Sequence, residues 1–585
     1  MLSGGGGGVC SGIKSLLRRY TLHESCSRNL MGAIDDNSST GTIRLMNSLN
    51  GIKQDLPRGK TLTWYTCGPT VYDHSHVGHA RAYVALDIVR RVLLKHGYSI
   101  FQVMGMTDVD DKIIAKSKSE NLAGVEGSMI IARRFEQAFF NDMQSMNILP
   151  PDAITRVSEH IPEIVKFIQD LRDKGYAYEG KKSSTIWFDT AAYGSRYGVF
   201  EPLRVQEDAS NEDQESEKKN HRDFALWKPV ASVSEAGWES ELGRGRPGWH
   251  IECSAFCRTM FGEEPPAPFL HSGGRDLKFP HHENEIAQSQ ALLNTDRWVS
   301  HWLHAGQLTI KGLKMSKSLK NYTSIQDFLT AHSSRTFRIF CLLHKYSADV
   351  SYGEDRMEDA LAWEKSFENF FRELGPFAEK RYLQEGSSRM LGDLKWEAKH
   401  HALNNAYLDC QLQIRSALED DVDTPTAMRH LKNLIRDVNV FLRDVTDIRK
   451  QRNLWPLLTN ITHYVQDSLE GWGVDCSDWV QSAKVDITTN SHEAPAFDQA
   501  IEVLLAVRSE LRTLAIKHKK AKLKDDGALA NELLGITDKI RDSLLPGMGV
   551  EVKDRQGQSG EMVHTWTFNP RLIASQQDEA KTDSK

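Results

Sequence analysis

The sequence predicts a mixed α/β chain: a parallel-sheet domain interrupted by an insertion and followed by an all-α helical bundle. Three stretches carry this reading. A strand, a helix and a second strand follow one another between Thr61 and Met104, within ~45 residues, which is a βαβ unit and hence a parallel sheet. Gly-Pro punctuation at 243–248 opens a second α/β stretch that ends near residue 330. From about residue 356 to 525 the chain is almost continuously amphipathic helix, for example over 408–420 and 426–444.

The elements follow in order. Thr61-Leu62-Thr63-Trp64-Tyr65-Thr66-Cys67 is rich in β-branched and aromatic residues and reads as a buried strand that Gly68-Pro69 ends. Apolar spacing turns helical from about Val77, through Val84, Ile88, Val92 and Leu93, and Gly97 closes the helix. Ile100–Met104 is the next strand, and 127–175 reads as helical. Gln206 to Asn220 holds six acids and two lysines without a large apolar residue, which predicts a disordered surface insertion. Residues 528–546 suggest a last helical piece, 549–568 a short hairpin, and the polar tail after Asn569 a mobile end. No internal repeat is present.

The chain has 585 residues, long enough for about four domains. Its 73 Lys+Arg against 79 Asp+Glu give a net charge of −6, so bulk charge does not announce a nucleic-acid partner and any basic surface is local. No run approaches the ~18 apolar residues of a membrane span, so no membrane partner is expected. Eight scattered cysteines form no dense framework, which argues for a reducing compartment. Residues 1–34 carry Lys14, Arg18, Arg19 and Arg28 against the single acid Glu24, with many Ser and Gly, the pattern of a mitochondrial transit peptide.

Two motifs point to chemistry. His76-Val77-Gly78-His79 stands where the first strand hands over to its helix, and a helix N-terminus with unpaired N–H groups suits phosphate. Lys314-Met315-Ser316-Lys317-Ser318 follows the strand-like Leu308-Thr309-Ile310 and a turn at Gly312. Two lysines on such a loop suit the charge that develops on a departing pyrophosphate. Either element alone also reads as surface: a helix start with two histidines, or a solvated loop. An HxGH element followed by KMSKS is far more specific.

The pair resembles the signature of class I aminoacyl-tRNA synthetases, and the surrounding text resembles the cysteinyl-tRNA synthetase family. The matching segments are Cys67–Asp73, Thr107–Ile114, Gly248–Ala255, Phe279–Gln288 and Ala417–Pro425, so the resemblance spans about residues 60 to 568. It implies a Rossmann-type catalytic fold with an inserted connective domain and a helical anticodon-side bundle. The expected division is 1–40 transit peptide, 41–155 first catalytic half, 156–245 insertion, 246–300 second catalytic half, 301–355 KMSKS and stem-contact region, 356–525 bundle and 526–585 C-terminal region.

Cys67, Cys253, His281 and Glu285 are ligand types that zinc accepts, and His281 and Glu285 stand at i and i+4 on one helix face. Spacing alone favours core cysteines with capping polar residues; the resemblance assigns the four to Zn²⁺, one ion per chain. His282-Glu283 begins like a zincin helix, but no second His follows at the required spacing. Cys257, four residues after Cys253, reads as a small buried hydrophobe. A zinc–thiolate bond would separate cysteine from serine, which hydrogen bonds alone discriminate poorly.

The resemblance further implies ATP-dependent formation of cysteinyl-adenylate and transfer to the 2′-hydroxyl of the terminal adenosine of tRNA(Cys). His76, His79, Lys314 and Lys317 would be catalytic, and Gly78, Gly273, Gly274, Asp276 and Lys317 would hold ATP with Mg²⁺. Gly68, Thr107, Trp249, His250 and His271 would bind L-cysteine. The residue two after KMSKS is Lys320, where the family commonly has glycine, which adds charge and stiffness to the loop. Lys517–Lys524 and the stripe Arg429, Lys432, Arg436 are candidate phosphate contacts or solvated helix faces. A monomer is favoured. The compact, bacterial-like body and acid-poor N-terminus favour the mitochondrial matrix over the cytoplasm. Two rival readings are a cysteine ligase acting on an amino sugar, and a zinc- and RNA-binding paralogue without catalysis.

Overall fold

The computed structural model describes residues 41–200, 217–232, 235–310, 312–315, 322–374, 395–443, 454–480, 501, 504–505, 507–516, 527–547, 550–556 and 562–568. An antiparallel hairpin of β1 (Arg44–Asn47) and β2 (Ile52–Asp55) leads into β3 (Leu62–Thr70). Then come α1 (Val77–Lys95), β4 (Ile100–Thr107), α2 (Asp111–Ser119), α3 (Gly124–Ser145), β5 (Ala153–Arg156) and α4 (Ile161–Asp173). Strands β6 (Ala177–Glu179), β7 (Ile186–Phe188), β8 (Phe224–Pro229) and β9 (Gly245–Pro247) form a separate four-stranded antiparallel sheet. The chain returns through α5 (Trp249–Phe261), β10 (Phe269–Gly274), α6 (Glu283–Leu293) and β11 (His301–Ala305).

The central sheet is parallel, in the order β11-β10-β3-β4-β5. β3 lies at its middle, pairing Cys67 with Gly105 of β4 and Tyr65 with His271 of β10. Strands buried on both faces read as continuous apolar runs, and β3 does: Leu62 through Cys67 are all buried. The order reverses between β3 and β10, so their C-terminal ends open a crevice, the usual ligand position in such sheets.

Beyond β11 a small sheet joins β12 (Leu308–Ile310), β13 (Leu313–Lys314) and β14 (Val350–Ser351), with α7 (Ile325–Ala331) and α8 (Ser334–Leu342) between the last two. Helices α9 (Glu354–Leu374), α10 (Ala398–Glu419), α11 (Thr424–Arg443) and α12 (Trp455–Gly471) make the helical region. Their apolar faces and that of α1 share one continuous core, from Val84 and Val92 to Leu431 and Val465. Burying each such side chain contributes about 1.5–3 kcal/mol. A second core, on the other side of the central sheet, joins α4, α5 and α6 to the antiparallel sheet. α13 (Gly527–Lys539) and the hairpin β15 (Val550–Gln556) and β16 (Met562–Phe568) match the expected terminal pieces.

Four expectations change. The stretch 127–175 is not one helical region: Asn147 is left-handed (φ 55°), Pro150-Pro151 cannot continue a helix, and β5 adds an edge strand to β4. Gly68-Pro69 does not end its strand, because β3 runs on to Thr70 through a register shift after Cys67. The punctuation at 243–248 contains β9, which pairs with β8, so the antiparallel sheet runs past the expected division at 245. Residues 206–216 lie outside the described residues, but Glu217–Asn220 are docked: Glu217 accepts the Lys182 and Ser183 N–H groups at 3.0 Å, and Lys219 pairs with Asp189 at 2.9 Å.

Candidate active site

The first motif is built by helix capping. His76 is the N-cap of α1 with extended backbone (φ −115°, ψ 167°). Its Nδ1 accepts the His79 N–H, while His79 Nδ1 accepts the His76 N–H, each at 3.3 Å. This is a reciprocal capping box built from two histidines. With both Nδ1 atoms accepting, the proton of each neutral ring sits on Nε2. The rings stack at 3.7 Å and 15°. A Cβ at Gly78 would meet the His76 ring at 2.9 Å, so only glycine lets the ring lie over the helix start.

The second motif is brought to the first. Val77 donates its N–H to Thr323 O at 3.0 Å and Ile325 to Ser75 O at 3.2 Å, so the chain after KMSKS runs along the chain before α1. Lys314 belongs to β13, paired with Thr309, and Met315 is buried beside Gly78. Lys317, with the rest of 316–321, lies outside the described residues, as do Lys320 and Lys517–Lys524. A cavity of about 450 Å³ opens here, lined by Gly68, Tyr72, His76, Gly78, His79, Lys112, Trp249, Gly273, Gly274, Asp276 and Met315. Cys67 lines it at its base.

Behind Cys67 lies a closed cluster of donors. Cys67 Sγ is 3.8 Å from Cys253 Sγ and 3.7 Å from Glu285 Oε1. Cys253 Sγ is 3.4 Å from His281 Nε2, which is 3.1 Å from Glu285 Oε1. The four ligand atoms all lie within 4.8 Å of one another, and all four residues are buried. Tetrahedral zinc with bonds of about 2.3 Å to sulfur and 2.0–2.1 Å to nitrogen or oxygen would set edges of about 3.8 Å between sulfurs and 3.4 Å between nitrogen and oxygen. The donor set fits such an ion. A second set, Cys67, His271, His282 and Glu285, overlaps the first, with Cys67 Sγ 3.3 Å from His282 Nε2.

The predicted i, i+4 relation of His281 and Glu285 survives a break: Phe279 is extended (φ −139°, ψ 134°), and the helix is continuous only after it. A layer of further side chains orients the donors. Glu285 Oε2 lies 2.8 Å from His271 Nε2, and His281 Nδ1 lies 3.0 Å from His250 Nδ1. Trp249, 39% exposed, stacks on His281 at 4.3 Å. His282 Nδ1 meets His304 Nε2 at 2.7 Å, and His304 Nδ1 meets Ser48 Oγ at 2.5 Å. Such outer contacts fix ring orientation and tautomer around a metal.

Burial sets the protonation of this cluster. It pushes the Cys67 thiol and the Glu285 carboxyl well above their usual ranges and holds His281 and His282 well below theirs. His250, His271 and His304 are each pushed down to about 3, again chiefly by burial. The apolar surroundings therefore favour uncharged groups, and a bound cation reverses that preference for thiol and carboxyl.

The sequence-predicted residues thus divide. Gly68, His76, Gly78, His79, Trp249, Gly273, Gly274 and Asp276 meet at the cavity, and Cys67, Cys253, His281 and Glu285 meet at its base. His250 and His271 stand behind the donors, and the Thr107 hydroxyl donates to Glu252 at 2.7 Å. Cys257 is buried and belongs to neither donor set. Sequence reading passed over His282, His304 and Glu252. His282 sits inside the Phe279–Gln288 segment and Glu252 inside Gly248–Ala255, whereas His304 shows no spacing signal.

A family model described as tRNA synthetases class I (C) catalytic domain matches residues 54–362, so fold and site define a class I synthetase. The mycobacterial methionyl-tRNA synthetase in complex with methionyl-adenylate shares the fold, with a TM-score of 0.56 at 14% identity over 72% of this chain and 93% of that one. A probable mitochondrial cysteine–tRNA ligase of Xenopus tropicalis is 37% identical, covering 81% of this chain and 79% of its own. The cytoplasmic cysteine–tRNA ligase of Dictyostelium discoideum is 35% identical over 90% and 77%, and that of Homo sapiens 33% over 88% and 81%. The chain belongs to the cysteine–tRNA ligase family and is an aminoacyl-tRNA ligase. The matches extend well past the catalytic half, and neither the amino-sugar ligase nor the inactive paralogue is favoured.

Proposed function

We propose that this chain activates L-cysteine with ATP and transfers it to the terminal adenosine of tRNA(Cys), selecting the substrate by its thiolate. The observation that carries the reading is the position of Cys67, which is at once a member of the buried Cys/Cys/His/Glu set and part of the cavity wall. Cys67, Cys253, His281 and Glu285 would hold one zinc ion, which when bound supplies a soft partner for a thiolate that a hydroxyl does not match.

The chain's own residues do the rest. His76 and His79 present Nε2–H donors at the start of α1, where the helix dipole also favours phosphate oxygens. Gly273 and Gly274 keep the wall beside them free of side chains, and Asp276 suits the ribose hydroxyls. Lys314 and Lys317 act on the leaving pyrophosphate, with Mg²⁺ accompanying ATP. His250 and His271 orient the donor set, with Thr107 and Trp249 facing the amino acid. Arg429, Lys432 and Arg436 of α11 are offered to the tRNA backbone. The chain works as a monomer in the mitochondrial matrix, which the acid-poor, Arg- and Ser-bearing composition of residues 1–34 supports.

The test is charging of tRNA(Cys) transcript with labelled cysteine and, separately, labelled serine, with zinc content measured on the same samples. Cysteine transfer that Cys253→Ser abolishes together with zinc is the expected result. Equal charging with serine, or full activity in a zinc-free variant, overturns it. A reporter fused behind residues 1–40 that stays in the cytosol overturns the compartment.

A further inference from the structure

The catalytic fold and the helical region are joined through a buried polar node. Arg338, on α8, is 1% exposed. Its guanidinium donates to Asp87 Oδ2 at 2.6 Å, to the carbonyls of Met146 and Asn147 at 3.1 and 2.7 Å, and to the carbonyl of Trp472 at 3.3 Å. Four segments meet on one side chain: the motif helix α1, the turn after α3, α8 itself and the turn after α12. Arg91 shares Asp87 at 2.8 Å and donates to Asn147 O at 2.7 Å. Asn147 in turn donates its side-chain amide to Gly473 O at 2.7 Å.

Gly473 is shaped for this node. It sits at φ +86°, and a Cβ there would meet Arg338 Nη1 at 2.6 Å and Arg91 Nε at 2.8 Å. The turn of the helical region therefore closes directly onto the two arginines.

Replacing a buried ion pair by well-packed apolar side chains is often neutral or stabilising, so adhesion alone does not call for one here. What it supplies beyond adhesion is direction: the two Nη groups of a planar fork, each bound to two acceptors, define how α1 is set against α8 and the α12 turn. Asp87 lies eleven residues after His76 on the same helix. At 1.5 Å per residue that is a lever of about 16 Å, so a tilt of roughly 4° at the node displaces the histidines by about 1 Å. A displacement of that size at reacting groups costs on the order of 100-fold in rate.

We propose that Arg338 and Asp87 are positioning residues for the adenylation step, through which the helical region sets the placement of His76 and His79. The proposal rests on the cysteine-activating reading above. The donors that would hold the metal lie on β3, α5, the turn Lys278–His282 and α6, outside the node. The node therefore governs turnover and leaves amino-acid and zinc binding alone.

The experiment is cysteine-dependent ATP–pyrophosphate exchange on the purified full chain, with KM for cysteine, zinc content and Tm measured alongside. The double variant Arg338→Met with Asp87→Asn removes both fully buried charges together and leaves Arg91 on the Asn147 carbonyl, and Gly473→Ala disturbs the node from the helical region alone. Both are expected to lower kcat by about 10-fold or more, with KM for cysteine and zinc content within about 2-fold of the parent. Arg338→Lys keeps the Asp87 contact but loses the fork, and should fall between. If Tm drops while kcat per folded molecule is unchanged, the node is merely structural and the proposal fails. It fails equally if Gly473→Ala matches the parent, or if KM for cysteine rises and zinc content falls along with kcat. Parent protein inactive in exchange refutes the cysteine-activating reading instead.

Discussion

The base of the cleft and its nucleotide side are built on opposite plans. At the base, four donors from three distant parts of the chain lie 0–5% exposed, with His281 held by His250 and Glu285 by His271. On the nucleotide side, two stacked histidines and three glycines border an open cavity of about 450 Å³. The first plan suits a small ligand recognised by one bond, which must find rigid partners already in place. The second suits a large anion that backbone and dipole meet over a wide surface, where crowding is the main danger. Under the proposed reading, rigidity is concentrated where one atom of the substrate would decide its identity.

Predictions follow this contrast. Removing a donor should have the largest effect: Cys253→Ser is expected to lose zinc and cut cysteine charging by more than about 100-fold, read by metal analysis and a charging assay. On the nucleotide side, His76→Asn or His79→Asn should lower kcat for exchange by about 100-fold with zinc retained, as loss of one oriented donor to a developing charge does. Equal zinc loss in both sets would erase the distinction. His271→Ala leaves the Cys67, Cys253, His281 and Glu285 set intact and removes the contact that holds Glu285, so it should weaken zinc binding by about 10–100-fold in a competition with a chelating dye; a complete loss would point to the overlapping set instead.

A smaller effect concerns pH. Burial pushes the Asp87 carboxyl up, but Arg338, Arg91 and the Leu149 N–H together hold it below its usual value. Its contribution to stability is therefore fully present above the ordinary carboxylate pKa of about 4 and is lost as pH falls through the lower folded value. Asp87→Asn should be less stable than the parent near neutrality, and the gap should shrink on acidification below about pH 4, read by denaturant midpoints. Least of all, deleting 206–216 should leave charging within about 2-fold of the parent.

The unequal legibility of the two sides has physical causes. HxGH marks a helix start because a glycine between two ring side chains has few other uses there, and capping is local in sequence. His281 and Glu285 were visible as a helical repeat. Cys67 and Cys253 carry no mutual spacing signal, since parallel strands bring together residues any distance apart; only resemblance joined them. His304 carries no sequence signal, and Glu252 has only its place beside Cys253 in a matching segment, because each answers a partner supplied by tertiary structure. β5 was missed because a four-residue edge strand between two strong helices leaves too few residues for a pattern to show.

The separation of Cys67 from Cys253 by 186 residues has a consequence for the birth of the molecule. During synthesis the first thiol leaves the ribosome long before its partners, and the donor set is complete only once Glu285 has emerged. By then the antiparallel sheet of 177–247 lies inside the ring that the ion would close. Closing a loop of that length costs about 5 kcal/mol of chain entropy, which the pairing of β3 with β10 must largely meet before the donors converge. Under the proposed reading, metal capture would be a late event that reports on assembly: a chain whose insertion failed to fold would offer zinc two stray cysteines in place of a site.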